Sequence, residues 1–220
     1  MLTIYTHYHH TRPIVNQFDF IVICKSGLFR IKLRYNNRNR KDGLSMRTLV
    51  ILAHPHFEHS RLNSRVVKEL QGKDDITIHN LYEAYPNEQI DVAREQALVE
   101  AHDRIVLQFP FYWYSSPSLL KKWIDEVIVH GWAYGSPEAA ALRGKELLIS
   151  ITTGSVKENY TPEGRNKFTI EELLRPYEAT SNLIGMTLLP HNVLYGASVI
   201  TDEELEVAVK PFVAKIVSKK

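Results

Sequence analysis

Three stretches of this sequence combine residue types that bind ligands. The first, HPHFEHSRLN at residues 54–63, leads directly into a predicted helix. Free backbone N–H groups and the positive end of the helix dipole attract phosphate at such a place. Ser60 and Asn63 supply neutral hydrogen bonds, while His54 and Arg61 can add positive charge. The stretch therefore predicts an anion site.

The histidines of the same stretch raise two other interpretations, a metal site or plain loop residues. No cysteine or carboxylate cluster completes a set of metal ligands. The stretch also lacks GxGxxG and GxxxxGK[ST], which argues against a Rossmann dinucleotide site and against an NTPase phosphate loop. We therefore expect an anion held without a metal ion.

The second stretch, FPFYWYSSP at residues 109–117, ends an apolar run in aromatic residues held between prolines. Pro110 and Pro117 have a fixed φ and no N–H, so the loop between them is short and stiff. Its aromatic side chains cannot all point into the core. We expect some of them to face a crevice, where a flat conjugated ligand gains from stacking and from burial of area. These residues are Phe111, Tyr112, Trp113 and Tyr114.

The third stretch, TTGSVKENYTPEG at residues 152–164, offers hydroxyl groups, small residues and backbone N–H donors but no acidic pair. Donors aimed at the edge of a ligand suit a group that becomes anionic on reduction. A phosphate, a flat ring and an acceptor edge together describe a flavin nucleotide.

Strands and helices that alternate from Met46 onward must position these stretches. Continuous apolar runs are typical of strands buried on both faces. We predict strands at 48–54, 75–82, 103–109, 145–153 and 188–195, and helices at 60–72, 91–101, 116–128, 168–185 and 201–218. The alternation predicts an α/β fold with a doubly wound parallel sheet. In the order 2-1-3-4-5, the three stretches meet at the carboxyl ends of the strands.

Composition sets the protein's broad class. The chain has 220 residues, of which 44% are hydrophobic and 24% charged, and this suits one α/β domain with an appendage. The single cysteine, Cys24, excludes an internal disulfide framework and fits a reducing cytoplasm. Residues 46–220 carry 19 basic and 23 acidic residues, so they give no argument for nucleic-acid binding.

Residues 1–45 carry eight basic and two acidic residues and show little order of their own. They are a basic arm, a transit peptide, or upstream sequence translated ahead of a natural start at Met46. The last interpretation is favoured because a core strand begins directly after Met46. The predicted organisation is a basic, poorly ordered extension at 1–45 and one domain at 46–220.

Residues 46–220 resemble the flavodoxin-fold NAD(P)H:quinone oxidoreductases, the DT-diaphorase family. Within it they are most similar to the bacterial branch that includes the ancillary flavoprotein of glutathione-gated potassium efflux systems. The segments AHP, HSRLN, QFPFYWYSSPSLLKKWID, HGWAYG and ITTG stand in the family's order and spacing. The resemblance implies a flavodoxin-like, five-stranded parallel sheet of order 2-1-3-4-5.

The resemblance also implies roles for individual residues. For the flavin phosphate and ribityl chain it implies His54, Ser60, Leu62, Asn63 and, through its backbone, Arg61; for the isoalloxazine ring, Phe111, Tyr112, Trp113 and Tyr114; for the N1–O2 edge of the ring, Thr152, Thr153, Gly154 and Ser155. Tyr160 falls where the family often has a tyrosine that stabilises the charge on reduced flavin. It is the expected catalytic side chain.

Two positions depart from the family pattern. Ser155 stands where many relatives have a second glycine, and Asn166 stands where many have a histidine. Asn166 can donate a hydrogen bond but cannot shuttle a proton. In HGWAYG, the resemblance implies that Trp132 and Tyr134 reach toward the flavin of a neighbouring subunit in a homodimer. Trp132, Tyr134 and Asn166 thus form the expected substrate or partner-subunit site.

The activity implied is that of a cytoplasmic NAD(P)H dehydrogenase (quinone). NAD(P)H passes hydride to bound flavin, and a quinone then takes its place and receives two electrons. FMN is favoured over FAD by the bacterial branch, while NADH and NADPH are not distinguished. Two alternatives stay open: a flavin-binding regulatory subunit that docks on a potassium efflux transporter at the inner membrane face, and an azo- or nitroreductase.

Overall fold

The computed structural model describes residues 46–218 and, within residues 1–45, the backbone of three strands. Contacts divide the chain into two compact units, Met1–Ser45 and Met46–Lys220. The strands of the first unit, Ile4–Thr6, Gln17–Cys24 and Gly27–Arg34, pair antiparallel in that order. The prediction of a poorly ordered extension concerns residues that mostly lie outside those described, and it stays a prediction.

The second unit is built on a parallel sheet. Its strands are β1 (Thr48–Leu52), β2 (Ile76–Asn80), β3 (Arg104–Pro110), β4 (Glu146–Thr152), β5 (Thr187–Leu188) and β6 (Asn192–Leu194). The spatial order is β2-β1-β3-β4, and both β5 and β6 pair with β4 in the next position. The predicted fold class and the order 2-1-3-4-5 are confirmed.

The fifth position of the sheet differs from the single strand expected at 188–195. Glu146 lies opposite Thr187, whereas Ser150 lies opposite Asn192, so the register shifts by one residue between β5 and β6. The extra residue is accommodated as a bulge around Pro190. Proline is tolerated there because an edge strand needs no N–H on its outer side.

Two layers of helix cover the sheet. The helices are α1 (Arg61–Leu70), α2 (Leu81–Ala84), α3 (Val92–Glu100), α4 (Ser118–Val127), α5 (Ile170–Leu173), α6 (Arg175–Ile184) and α7 (Asp202–Val217). One core cluster joins the sheet to α3, α4, α5 and α6, and the other joins it to α1 and α7. Every residue of β1, β3 and β4 is buried between these layers, as their apolar runs predict.

The helix expected at 168–185 is divided in two. Thr169 begins α5 with a capping box: its hydroxyl accepts the N–H of Glu172, and the Glu172 carboxylate accepts the N–H of Thr169. The chain then leaves helical geometry at Leu174, and Pro176 lies in the first turn of α6. The missing N–H of proline costs no hydrogen bond in the first turn of a helix, so the sequence restarts a helix there.

Candidate active site

A crevice opens where the carboxyl ends of β1, β3 and β4 meet. It encloses about 820 Å³ of empty space, including space open to solvent. The structure brings these predicted residues to its walls: His54, Ser60, Arg61, Leu62, Asn63, Phe111, Tyr112, Thr152, Thr153 and Gly154. His56, His59, Pro110 and Ala197 also line it, and none of these four was among the predicted site residues.

The start of α1 supplies backbone donors to the crevice. Ser60 is the N-cap, and its Oγ accepts the N–H of Asn63 at 3.2 Å. The amides of Arg61 and Leu62 occupy the first helical positions and have no intrahelical acceptor. The Leu62 side chain is buried in the core, so this residue can contribute only through its backbone.

Side chains add less positive charge to the crevice than the sequence predicts. The Arg61 guanidinium donates to the carbonyl of Ile200 at 3.2 Å and pairs with Asp202. Burial lowers the pKa of His54, and its Nδ1 accepts the N–H of His56 at 3.1 Å. His54 is therefore neutral at pH 7 with its proton on Nε2. His54 therefore offers the crevice a neutral Nε2–H, and the Arg61 guanidinium shares its positive charge with Asp202.

A cluster of buried polar side chains links the three segments that border the crevice, namely the start of α1, the end of β3 and the end of β4. Asn63 Nδ2 donates to Ser60 Oγ and to Thr152 Oγ1, each at 3.0 Å, and Asn63 Oδ1 accepts from Gln108 Nε2 at 2.7 Å. The N–H of Phe111 donates to the Thr152 carbonyl at 2.8 Å. Gln108 was missed by sequence reasoning, although a glutamine inside the apolar run RIVLQFP is a signal for a buried polar contact.

The aromatic loop forms a tight turn in which Ser115 N–H donates to the Tyr112 carbonyl at 2.9 Å. Its two central residues, Trp113 with φ 49° and Tyr114 with φ 60°, are both left-handed. This conformation costs a non-glycine residue roughly 1–2 kcal/mol. Strain of this kind clusters at ligand sites.

The four aromatic side chains of this loop divide between core and solvent, as expected from its stiffness. Phe111 is buried, Tyr112 and Tyr114 are 41% and 45% exposed, and Trp113 is 93% exposed. Phe111 and Tyr112 reach the crevice wall, whereas Trp113 and Tyr114 stand beyond it.

The loop after β4 holds its donors in place by local hydrogen bonds. Thr153 Oγ1 donates to the Ser155 carbonyl at 2.7 Å, and Ser155 Oγ accepts from Asn159 Nδ2. The Thr153 N–H donates to the carbonyl of Leu194 on β6 at 3.0 Å. Gly154 is exposed at the crevice mouth. The loop is therefore rigid on the core side and open at Gly154.

Tyr160 lies behind the crevice wall rather than in it. Its ring is 6.4 Å from that of Phe111 and 6.0 Å from that of Tyr195, between centroids. Burial raises the pKa of Tyr160, and a hydrogen bond with Thr153 opposes part of that shift. The phenol is thus protonated at neutral pH and can act as a donor.

The remaining predicted residues lie outside the crevice wall. Asn166 Oδ1 accepts from the Tyr114 hydroxyl at 3.3 Å, which joins the aromatic loop to the loop after β4. The Trp132 indole N–H donates to Glu100 at 2.7 Å, and the Tyr134 ring packs edge-on against His130. The expected role of Trp132 and Tyr134 at a partner subunit stays a prediction.

The described part of the chain lacks both a group of metal ligands and a membrane-spanning helix. Among these residues, no three His, Cys, Asp or Glu side chains are grouped as metal ligands. No helix among them is both long enough and apolar enough to cross a membrane.

Residues 46–216 match a family model described as having a flavodoxin-like fold, and the chain belongs to this family. Relatives include general stress protein 14 of Bacillus subtilis, 52% identical over 165 residues that cover 75% of this chain and 94% of the relative. The uncharacterized NAD(P)H oxidoreductase YdeQ of the same organism is 45% identical over 171 residues, 78% of this chain and 86% of the relative. The glutathione-regulated potassium-efflux system ancillary protein KefF of Enterobacter is 40% identical over 158 residues, which cover 72% of this chain and 88% of the relative.

Solved structures agree with this assignment of fold. A general stress protein 14 from Treponema denticola, described in complex with FMN, is 36% identical with a TM-score of 0.72, covering 77% of this chain and 97% of that one. A protein from P. pentosaceus described as an NADPH-quinone reductase is 32% identical with a TM-score of 0.73, covering 80% and 100%. A protein described as a thermophilic tryptophan halogenase from Streptomycin violaceusniger is 46% identical with a TM-score of 0.76, covering 78% and 99%.

Proposed function

We propose that the crevice binds FMN and that the protein reduces quinones with electrons from NAD(P)H. The observation that carries this proposal is the convergence of three features at one place. Free amides at the start of α1, aromatic rings after β3 and a donor loop after β4 all border the same crevice. Each feature matches one part of a flavin nucleotide. The FMN described in the Treponema denticola relative supports the choice of flavin.

The hydrogen-bond donors present fit FMN in kind as well as in place. The amides of Arg61 and Leu62 and the Ser60 hydroxyl would hold the phosphate, a helix N-terminus being an anion site. Phe111 and Tyr112 would lie against the isoalloxazine ring, and the backbone of Gly154 would face the N1–O2 edge of that ring. FMN, when bound, supplies the hydride acceptor and donor that the protein lacks.

The protein's contribution to the chemistry is orientation and electrostatics. Tyr160 keeps its phenolic proton because burial raises its pKa. From its place behind the crevice wall, next to Phe111 and Thr153, this neutral donor would stabilise negative charge at the N1–O2 edge of bound FMN, more in the transition state than in the ground state. Thr153 and Ser155 hold the loop that shares this task.

The acceptor proposed is a quinone, in keeping with the name of the P. pentosaceus relative. The exposed rings of Trp113 and Tyr114 offer area and stacking at the crevice mouth, and such contacts suit flat acceptors generally. Hydrophobic contact discriminates weakly between substrates of similar shape. Azo and nitro compounds are therefore expected as acceptors as well. A homodimer, in which Trp132 and Tyr134 approach the partner's crevice, belongs to the same proposal.

A second function is favoured by the similarity to KefF, whose name describes an ancillary protein of a potassium efflux system. Under this proposal the flavin-loaded protein also docks at the cytoplasmic face of a transporter. Co-reconstitution of the protein with a KefF-dependent efflux system would test it. Flux above that of the transporter alone supports docking, and unchanged flux contradicts it.

Initial-rate kinetics test the leading proposal. NAD(P)H and quinone are varied together with the FMN-loaded protein, and flavin-free protein serves as the control. Because donor and acceptor are proposed to use one place in turn, double-reciprocal plots should be parallel. Intersecting lines would show that both substrates bind at once, and no turnover above the flavin-free control would contradict the proposed activity itself.

A further inference from the structure

The hydrogen bonds of the buried polar cluster, from Gln108 through Asn63 to Ser60 and Thr152, run in one defined direction. Asn63 Nδ2 carries two protons, and both are donated to hydroxyl oxygens, those of Ser60 and Thr152. Each hydroxyl therefore accepts from Asn63 and keeps its own proton for another partner. Ser60 Oγ also accepts the backbone N–H of Asn63 at 3.2 Å, so both of its lone pairs are in use. The one role left to the Ser60 hydroxyl is donation.

The opposite orientation of the Asn63 amide would reverse this property. Rotation by a half turn would place Asn63 Oδ1 against the two hydroxyls and draw their protons inward. Ser60 would then present a lone pair, rather than a proton, to any anion at the start of α1. Gln108 opposes the rotation, because its Nε2 donates to Asn63 Oδ1 at 2.7 Å and would meet another donor in the rotated state. If both amides turned together, the two N–H groups of Gln108 would move to the place where its Oε1 has no partner among the described residues.

Gln108 holds this bond at a cost. Its side chain is fully buried within a strand whose neighbouring residues are apolar. Its Oε1 has no hydrogen-bond partner among the residues that the structure describes. An unsatisfied buried acceptor costs about 1–3 kcal/mol, whereas an apolar side chain of similar size would avoid that cost. The cost is understandable if the Nε2 bond has a function.

We propose that Gln108 is a positioning residue for the anion site. It fixes the direction of the hydrogen-bond chain so that the Ser60 hydroxyl donates to the phosphate of FMN. The inference rests on the proposed function, since it takes the flavin phosphate as the anion. It adds a residue that touches neither phosphate nor ring and acts only through Asn63 and Ser60.

The test compares two ligands that differ only in the phosphate. The variant Gln108→Met and the wild-type protein, both flavin-free, are titrated with FMN and with riboflavin by isothermal calorimetry. Loss of one charge-assisted hydrogen bond should raise the Kd for FMN about tenfold or more. The Kd for riboflavin should change less than about threefold. An unchanged Kd for FMN, or an equal loss for both ligands, would overturn the proposal.

A double-mutant cycle with Ser60→Ala separates positioning from general damage. If Gln108 acts through the Ser60 hydroxyl, Gln108→Met should weaken FMN binding little further in the Ser60→Ala background. Additive losses would overturn the proposal. Circular dichroism verifies folding, and Gln108→Leu replaces Gln108→Met if the latter does not fold. A wild-type protein that binds neither flavin would overturn the proposed function, and the inference with it.

Discussion

Tyr160 is the one titratable side chain that we propose acts on the reaction, and its environment fixes its protonation state. It is buried beside Phe111 and Tyr195, and burial raises its pKa above the ordinary tyrosine value. The phenol therefore stays protonated at least up to the usual tyrosine pKa of about 10.

Removal of the hydroxyl, Tyr160→Phe, should slow reduction of the bound flavin by NAD(P)H about tenfold. That factor corresponds to roughly 1.4 kcal/mol, the scale of one modest hydrogen bond. Flavin content should stay nearly unchanged, since the phosphate and ring contacts remain. Rapid mixing at the flavin absorption band measures this step. In the wild type, Tyr160 should add no pH dependence to the rate between about pH 7 and 9. An unchanged rate in the variant would remove Tyr160 from the mechanism.

His54 makes a second residue-level prediction, on stability. Burial lowers the pKa of His54 in the folded protein, whereas in the unfolded chain the pKa is about 6.5. Between these two pKa values the unfolded chain binds a proton that the folded protein does not bind. Stability should therefore fall as pH decreases from 7 through the folded pKa. His54→Gln should reduce this slope, which for one proton is at most about 1.4 kcal/mol per pH unit. Urea unfolding of flavin-free protein between pH 7 and 5 measures it.

His102 and His191 also have lowered pKa values because of burial, and they act in the same direction. The comparison of His54→Gln with the wild type isolates His54, because both proteins keep the other two. Parallel stability curves would contradict the assignment of a neutral His54.

The residue types at the crevice could be read from the sequence, but their charges could not. The helix start at Ser60 and the loops around Phe111 and Thr153 border one crevice, as the predicted strand order requires. The charge of Arg61, however, is taken up by Asp202, which lies 141 residues further along the chain. A contact so distant in sequence leaves no local pattern. Gln108 does stand out as a glutamine in an apolar run, but nothing local identifies Asn63 as its partner.

Among the elements, the aromatic turn at residues 112–115 combines a strained backbone with exposed rings. Trp113 and Tyr114 adopt left-handed backbone angles that glycine would adopt without strain. Trp113 is also 93% exposed, so burial of its side chain contributes little to the stability of the folded protein. The strain is consistent with a loop whose rings serve a ligand.

Trp113→Gly should therefore stabilise the flavin-free protein, by up to about 1 kcal/mol after the greater chain entropy of glycine is counted. It should also weaken flavin binding or turnover, because an exposed ring of the loop that borders the crevice is lost. Glu88→Gly is the matched control, since Glu88 has φ 57° and lies outside the crevice. This control should stabilise without changing flavin affinity. Chemical denaturation and flavin titration give both quantities.

A destabilised Trp113→Gly variant would contradict the strain argument. An unchanged flavin affinity and turnover would instead remove Trp113 from the site.

The order of elements was predictable because periodicity and burial agree along the sheet. Continuous apolar runs predicted β1, β3 and β4, which are buried throughout. The bulge between β5 and β6 was not predictable, since a one-residue register shift depends on pairing with β4. The break between α5 and α6 had a visible signal in Pro176, which a continuous helix would not accept without a kink.

At the scale of the whole molecule, the chain consists of two units that meet in sequence at Ser45 and Met46. The family match covers residues 46–216 and so falls within the second unit. All the residues that we place at the crevice also belong to that unit.

Deletion of residues 1–45 should leave flavin content, melting temperature and turnover within error of the full chain. The reason is that the second unit contains its own sheet, both core clusters and the crevice. Thermal unfolding and flavin absorbance of the two proteins compare them directly. Loss of flavin from the shorter protein would show that the first unit supports the site.

We propose that the crevice holds a flavin, which would accept hydride from NAD(P)H and pass the two electrons on to a quinone. The most direct test of this proposal is anaerobic titration of the purified, FMN-loaded protein with NAD(P)H, followed by a quinone, with absorbance recorded at the flavin band. The band should bleach on addition of NAD(P)H and return when an equal amount of quinone is added. Protein that fails to retain FMN, or bound FMN that is not bleached by NADH or NADPH, would contradict the proposal.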